Sequence, residues 1–351
     1  MDIQQLFSET ARLQASDLHL MVGYPPIVRV AGKLGALPNF PILSAQEAES
    51  LVVGTLNPEQ KEIFLANKEL DFSLSSHLGR FRVNAYVQKG TIAAVFRLIP
   101  SKIKTLEELG VASICKDFVN LRQGLILVSG PTGHGKSTTI AAMLQTINTT
   151  RSCHIVTVED PIEYVYPQGM SLISQREMNA DTHSWKVALR SVLREDPDVV
   201  LIGEMRDLET MSSALTIAET GHLVFATLHT NSAAQSMDRI VDVFPENQQV
   251  QVRYQLSAVL EGIISQRLVP NTSGGRTAVS EILTATSAVR ATIRDGKMHL
   301  LNNVIQTSFE QGMISLEMAL AAEVKRGTIA SDIALSYALH PEELNRLLVG
   351  V

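Results

Sequence analysis

Cysteine is scarce in this chain. Only Cys115 and Cys153 occur in 351 residues. They form neither a CxxC pair nor any zinc spacing, so no metal module is expected and both read as buried thiols. Long apolar runs are missing too. None reaches about 18 residues, and no membrane-spanning helix is expected. The opening residues, MDIQQLFSETARLQ, lack the basic start and apolar centre of a signal peptide. These absences point to a cytosolic chain. An excess of positive charge is also absent. The formal net charge is −6, which argues against broad nucleic-acid binding. There is no low-complexity segment and no internal repeat. The length suggests two or three domains.

What is present centres on one stretch. Residues 124–129, GLILVS, are a short apolar run of the kind that makes a buried parallel strand. A glycine-rich loop follows: Gly130, Pro131, Thr132, Gly133, His134, Gly135, Lys136, Ser137, Thr138. From Ser137 to Ile147 the apolar spacing turns helical. The loop satisfies G-x-x-x-x-G-K-[ST] in its strand–loop–helix setting. Glycines allow backbone N–H groups to converge on phosphate oxygens, and the helix N-terminus adds partial positive charge. Lys136 would reach the β- and γ-phosphates of a bound nucleotide, and Ser137 would ligate Mg²⁺. His134 reads as a tolerated loop side chain.

Residues 1–98 read as a small mixed α/β domain. Ser44 and Glu47 form a capping box, and Asn57-Pro58 opens another helix. Ala31-Gly32-Lys33 suggests a hairpin turn. Strands are expected over Glu69 to Leu74, Arg80 to Gln88 and Ile92 to Leu98. Alternation places Arg80, Arg82 and Asn84 on one face, and pattern alone reads that face as solvated. Residues 99–122 read as a linker with a short helix. Pro100-Ser101-Lys102 breaks the preceding strand.

A nucleotide core is expected over 123–270. An apolar strand ends in Glu159, with Glu163 just beyond, which suggests metal or water handling. Ser184 to Glu195 is an amphipathic helix with Trp185 on its core side. A second apolar strand, Val199 to Ile202, ends at Glu204. That carboxylate would polarise the attacking water or hold Mg²⁺ through water. Another strand carries His222 at one end and His229 at the other. They lie about 20 Å apart on opposite faces, which disfavours a shared metal. Residues 231–269 read as helical. Residues 271–351 read as one strand, Thr277 to Leu283, followed by about four helices. Within them Ala288 to Asp295 has the pattern of an ordinary surface helix.

Together these motifs resemble the secretion-ATPase superfamily and, within it, the PilT-type retraction ATPases of type IV pili. The resemblance rests on ASDLHL, GPTGHGKST, VTVEDPIEY, DPDVVLIGEMRDLET and AETGHLVFATLHT, and covers nearly the whole chain. It implies a PAS-like N-terminal domain, a RecA-like P-loop ATPase core with C-terminal helices, and a homo-hexameric ring. The GRFRVNAY and VFRL motifs then make Arg82 and Arg97 arginine fingers. Glu204 becomes the catalytic glutamate, Glu159 and Glu163 the acids of the Asp box, and His229 a γ-phosphate or conformational sensor. His222 belongs to the same histidine box. AVRATIRD is similar to the family's AIRNLIRE motif, associated with retraction. The implied activity is ATP hydrolysis driving pilus disassembly and twitching motility, at the inner face of the cytoplasmic membrane. The implied partners are an inner-membrane platform protein of PilC type and a PilU-like paralogue, with neither nucleic acid nor membrane insertion. The nearest rival is a pilus-assembly or type II secretion ATPase. Two cysteines and a start close to ASDLHL favour retraction. A non-hydrolysing regulatory ring is disfavoured because Glu204, Arg82 and Arg97 are all present.

Overall fold

Residues that alternate in polarity and residues that are apolar throughout build two different sheets here. The structure, a computed structural model, describes residues 1–30, 32–99 and 102–349. It divides into two units. One is Met1–Lys102 with Pro161–Val165, and the other is Ile103–Asp160 with Tyr166–Val351. Pro161–Val165 falls within the span expected for the nucleotide core, yet it groups with the first unit.

The first unit has strands β1 (Asp17–Leu20), β2 (Ile27–Val30), β3 (Lys33–Ala36), β4 (Glu69–Ser76), β5 (Gly79–Gln88) and β6 (Thr91–Ile99). They form an antiparallel sheet in the order β3-β2-β1-β6-β5-β4. Ala31, Pro100 and Ser101, named above in a turn and a strand break, lie outside the described residues. On β5, Phe81, Val83 and Ala85 are buried while Arg82 and Asn84 are exposed. The buried face packs on the helix Ile3–Arg12, where Phe7 stacks on Phe81 with ring centres 4.2 Å apart. Burying such a side chain typically contributes about 2–3 kcal/mol. The capping boxes at Ser44 and Asn57 both form, opening the helices Ala45–Val53 and Pro58–Asn67. The expected strands are all found, each one to two residues longer than its apolar pattern.

The second unit has β7 (Gly124–Ser129), β8 (His154–Glu159), β9 (Leu172–Glu177), β10 (Val199–Ile202), β11 (Leu223–Leu228), β12 (Leu260–Pro270) and β13 (Arg276–Thr284). The order is β13-β12-β7-β11-β10-β8-β9. All neighbours are parallel except β12 and β13. β7, β10 and β11 are buried along their whole length, as strands covered by helices on both faces must be. The mixed α/β class expected from the motifs is the one found.

Two expectations need correction. Residues 231–269 are not helical throughout. They form the helices Ala233–Asp242 and Glu246–Val259 and then β12. Leu256, Val259, Leu260, Ile263 and Ile264 keep a helical spacing across that boundary, and all are buried. A strand covered on both faces needs no alternation, so its apolar residues extended the helical pattern. Second, Arg290 is no ordinary surface charge. The helix Ser287–Arg294 buries Val289 and Ile293. Arg290 Nη1 donates to the carbonyls of Ser257 and Ala258 at 2.8 and 2.9 Å, and Nη2 to Glu261 Oε1 at 2.8 Å. It thereby ties off the last carbonyls of the helix Glu246–Val259.

Candidate functional site

Parallel register decides where the site lies. Ser129 ends β7 opposite Leu228 at the end of β11, and Ile202 of β10 is level with Val158 of β8. Glu159 at the end of β8 and the segments after the other strands, Gly130–Gly135, His229 and Gly203–Arg206, therefore lie at one edge of the sheet. Carboxyl ends of parallel strands are where α/β proteins bind ligands.

The loop is held tightly. A Cβ on Gly130 would fall 2.3 Å from the carbonyl oxygen of Gln266 on β12, so only glycine allows that approach. Gly135, at φ +81°, precedes the helix Lys136–Thr150 and has no side chain to cap it. The first-turn N–H groups are thus left for an anion. The His134 carbonyl accepts from Gln266 Nε2 at 2.8 Å, and His134 Nδ1 accepts from Leu268 N–H at 3.0 Å. His134 is therefore anchored to β12 and is more than a tolerated loop side chain. Burial, then Arg267, Lys136 and Arg276, lower its pKa and keep the ring neutral.

Lys136 is buried and turns back on its own loop. Its Nζ donates to the carbonyls of Gly130 at 2.7 Å and Pro131 at 3.0 Å, and lies 3.4 Å from His229 Nδ1. Lysine can only donate, so His229 Nδ1 accepts and its proton sits on Nε2. That nitrogen faces Glu204 Oε1 at 3.3 Å. Thr132 Oγ1 lies 3.2 Å from His229 Nδ1. Burial, then Lys136, hold His229 below the usual histidine pKa, consistent with a neutral ring. Glu204 Oε2 is 2.7 Å from Arg206 Nη2. Burial pushes the Glu204 carboxyl up, but the Arg206 hydrogen bond with His229, Arg206 and Lys136 outweighs it, so the group stays ionised. Lys136, His229, Glu204 and Arg206 thus form one hydrogen-bonded line from loop to strand end.

Other expected residues lie elsewhere. Ser137 and Thr138 occupy the first turn of the loop helix, half-buried. Buried Glu159 accepts from Thr157 Oγ1 at 2.7 Å and Gln175 Nε2 at 3.3 Å. His222 is not brought to the loop. Its carbonyl accepts from Gly124 N, at the amino end of β7, and its Nδ1 lies 2.9 Å from Ile217 O. The length of β11 separates it from His229, and its place among the nucleotide contacts is withdrawn for that reason. In the first unit, Arg82, Arg97 and Glu163 line one pocket with Tyr164. Arg82 lies opposite Arg97 across the β5–β6 ladder, and Arg97 opposite Asp17. Arg97 Nε donates to Asp17 Oδ1 at 2.8 Å. Burial raises the Asp17 pKa, but Ser16 and Arg97 lower it further, so a carboxylate stands in the row of arginines. Like charges facing each other across a ladder are unfavourable, and Asp17 offsets this.

Sequence reasoning missed Gln266, Arg206 and Asp17. The available signal was polarity inside otherwise apolar strands: Ser265 and Gln266 in β12, and Asp17 in β1. Among the described residues no group of three or more His, Cys, Asp or Glu is arranged to hold a metal. The oxygen donors near the loop, Ser137 and the Glu204 carboxylate, suit a hard cation that keeps most of its water.

Behind the loop, β13 carries Glu281, opposite Ser265 of β12. Its Oε1 accepts from Ala233 N at 2.7 Å, at the start of the helix that follows His229. Burial pushes its carboxyl to about 7; the Ala233 hydrogen bond, Arg267 and His340 oppose this, while Glu317 adds to it. The native chain therefore binds this proton more tightly than the unfolded chain. Its cost to stability is absent below about 4.5 and fully present above about 7. Glu281→Gln keeps an acceptor for Ala233 and removes the charge. Denaturant titrations are expected to show the stability gain of the variant growing by about 1 kcal/mol from about pH 6 to about pH 8. A gain independent of pH would mean that Glu281 is not the titrating group.

The profile of the family described as Type II/IV secretion system protein matches residues 66–331. The type IV pilus retraction ATPase PilT of Pseudomonas aeruginosa is 48% identical over 343 residues, covering 97% of this chain and 99% of that protein. A twitching motility protein of Neisseria gonorrhoeae is 48% identical over 322 residues, covering 91% of this chain and 86% of its own length. A crystal structure of the pilus retraction motor PilT with bound ADP superposes with a TM-score of 0.93 at 44% identity, covering 99% of each chain. Among the described residues no helix is long and apolar enough to cross a membrane. With more than half of its length matched by the profile and near-complete coverage of these relatives, the chain belongs to the type II/IV secretion system protein family, among its PilT-type members.

Proposed function

We propose that the protein is a motor ATPase that hydrolyses ATP to power type IV pilus retraction and twitching motility. The observation that carries the reading is the line from Lys136 through neutral His229 to ionised Glu204 beside an uncapped helix N-terminus. Loop N–H groups from Thr132 to Thr138 cradle the phosphates, with Gly130 and Pro131 shaping the turn before them, and Lys136 leaves its loop carbonyls for the β- and γ-oxygens. Ser137, and Glu204 through water, would hold Mg²⁺, which when bound offsets charge on the phosphate oxygens. Glu204 orients the attacking water and takes up its proton, while Arg206 and His229 keep the carboxylate in place. Hydrogen bonded to both Lys136 and Glu204, His229 reports the state of the γ-phosphate. Arg82 and Arg97 stabilise charge developing on the transferred phosphoryl group, with Glu163 beside them. Glu159 orders groups at the end of β8.

The protein acts as a cytoplasmic homo-hexamer. In that ring, successive rounds of hydrolysis act on a PilC-like platform protein of the inner membrane, with a PilU-like paralogue as a further partner. The test is the steady-state ATPase rate per protomer, measured against protein concentration at saturating Mg-ATP. Specific activity is expected to rise with concentration to a plateau, as sites complete on assembly. Bound ATP without turnover at any concentration would replace the motor reading with that of a regulatory ring.

A further inference from the structure

Gln266 is 1% exposed, yet it carries two polar side-chain atoms. One is used on the nucleotide loop and the other on the helix that follows it. Nε2 donates to the His134 carbonyl at 2.8 Å, and Oε1 accepts from Thr139 Oγ1 at 2.8 Å. The Gln266 main chain closes on Gly130. On either side, Ser265 Oγ lies 2.8 Å from Ser129 Oγ, and Leu268 N–H donates to His134 Nδ1 at 3.0 Å. One strand therefore grips the loop at its start, near its end and on the helix that follows.

The grip has a direction. A peptide unit is planar and trans, so its carbonyl and its N–H point in opposite directions. Gln266 draws the His134 carbonyl toward β12 and so turns the Gly135 N–H away from β12. That N–H belongs to the run of loop amides that an anion at this helix N-terminus would meet. A free loop would have to order this peptide when the ligand arrives, at the expense of affinity. We propose that Gln266 is a positioning residue for ATP, presetting the Gly135 N–H through the His134 carbonyl and Thr139. This rests on the ATPase reading. Gln266 acts through the loop and touches no reacting atom.

The test uses the full chain with Gln266→Leu, Gln266→Glu and Thr139→Val. Each is titrated with a fluorescent ATP analogue and followed by steady-state kinetics. Gln266→Leu keeps the bulk and loses both hydrogen bonds. It is expected to bind the analogue about tenfold more weakly and to raise KM similarly, with kcat changed by less than about threefold. Gln266→Glu keeps the acceptor for Thr139 but loses the donor to His134, and is expected to be at least as weak. Thr139→Val frees the Gln266 amide to rotate and is expected to cost about threefold. A purely structural role would lower the thermal midpoint without separating KM from kcat. Should Gln266→Leu fail to fold, the other two variants carry the test. Parent-like affinity in the folded variants, or a fall in kcat at constant KM, would overturn the proposal. A parent chain that binds no ATP would overturn the ATPase reading together with it.

Discussion

Glu204→Gln is expected to bind ATP with parent affinity and to hydrolyse it at least about a hundredfold more slowly. The carboxylate sits 2.7 Å from Arg206 and 3.3 Å from His229, so it is held ionised at the end of β10. Glutamine keeps the size and one carbonyl for His229 Nε2–H. It loses the charge and the basicity that activate water. Arg206 is 69% exposed, so losing its ion pair contributes little to stability. Rapid mixing with radiolabelled ATP separates binding from turnover. Hydrolysis at the parent rate would remove Glu204 from the reaction.

Lys136→Ala attacks the other end of the same line. Nζ is the cation set among the loop carbonyls, 2.7 Å from Gly130 O and 3.0 Å from Pro131 O. Charge-assisted contacts to phosphate in a site shielded from water are among the stronger polar interactions. Their loss is expected to weaken ATP binding at least about a hundredfold. Alanine is a good helix former, so the helix Lys136–Thr150 should persist. Calorimetric titration with ATP reads the outcome. Affinity within about threefold of the parent would mean that the backbone amides alone hold the phosphates.

The loop was legible in the residues because its contacts are local. Lys136 reaches carbonyls only five and six positions earlier, and glycine at 130 and 135 declares the backbone conformations that make this possible. The arginine face of β5 was legible for the same reason, since alternation is a property of neighbours. The acids and histidine beyond β8, β10 and β11 could be named as candidates, because buried apolar runs ending in polar groups mark strand ends. Their alignment could not be named. Lys136 and His229 are 93 positions apart, and Gln266 and His134 are 132 apart.

β12 shows the limit most clearly. Its apolar residues continue the period of the preceding helix, so the pattern declared burial and left the conformation open. Pairing with β7 on one side and β13 on the other makes it a strand, and running on past Ser129 beside β7 it delivers Gln266 and Leu268 to the loop. Arg290 follows the same logic. A basic stripe on a short helix looks solvated until the carbonyls of Ser257 and Ala258 are found beneath it. The phosphate loop, the charged strand face and the polar strand ends can be read from the residues, because each is set by neighbours within a few positions of one another. Which distant strand grips the loop, which histidine reaches it and which arginine is locked follow from the packing of segments far apart in the chain. Those choices depend on what covers a buried face, and local periodicity carries no information about that.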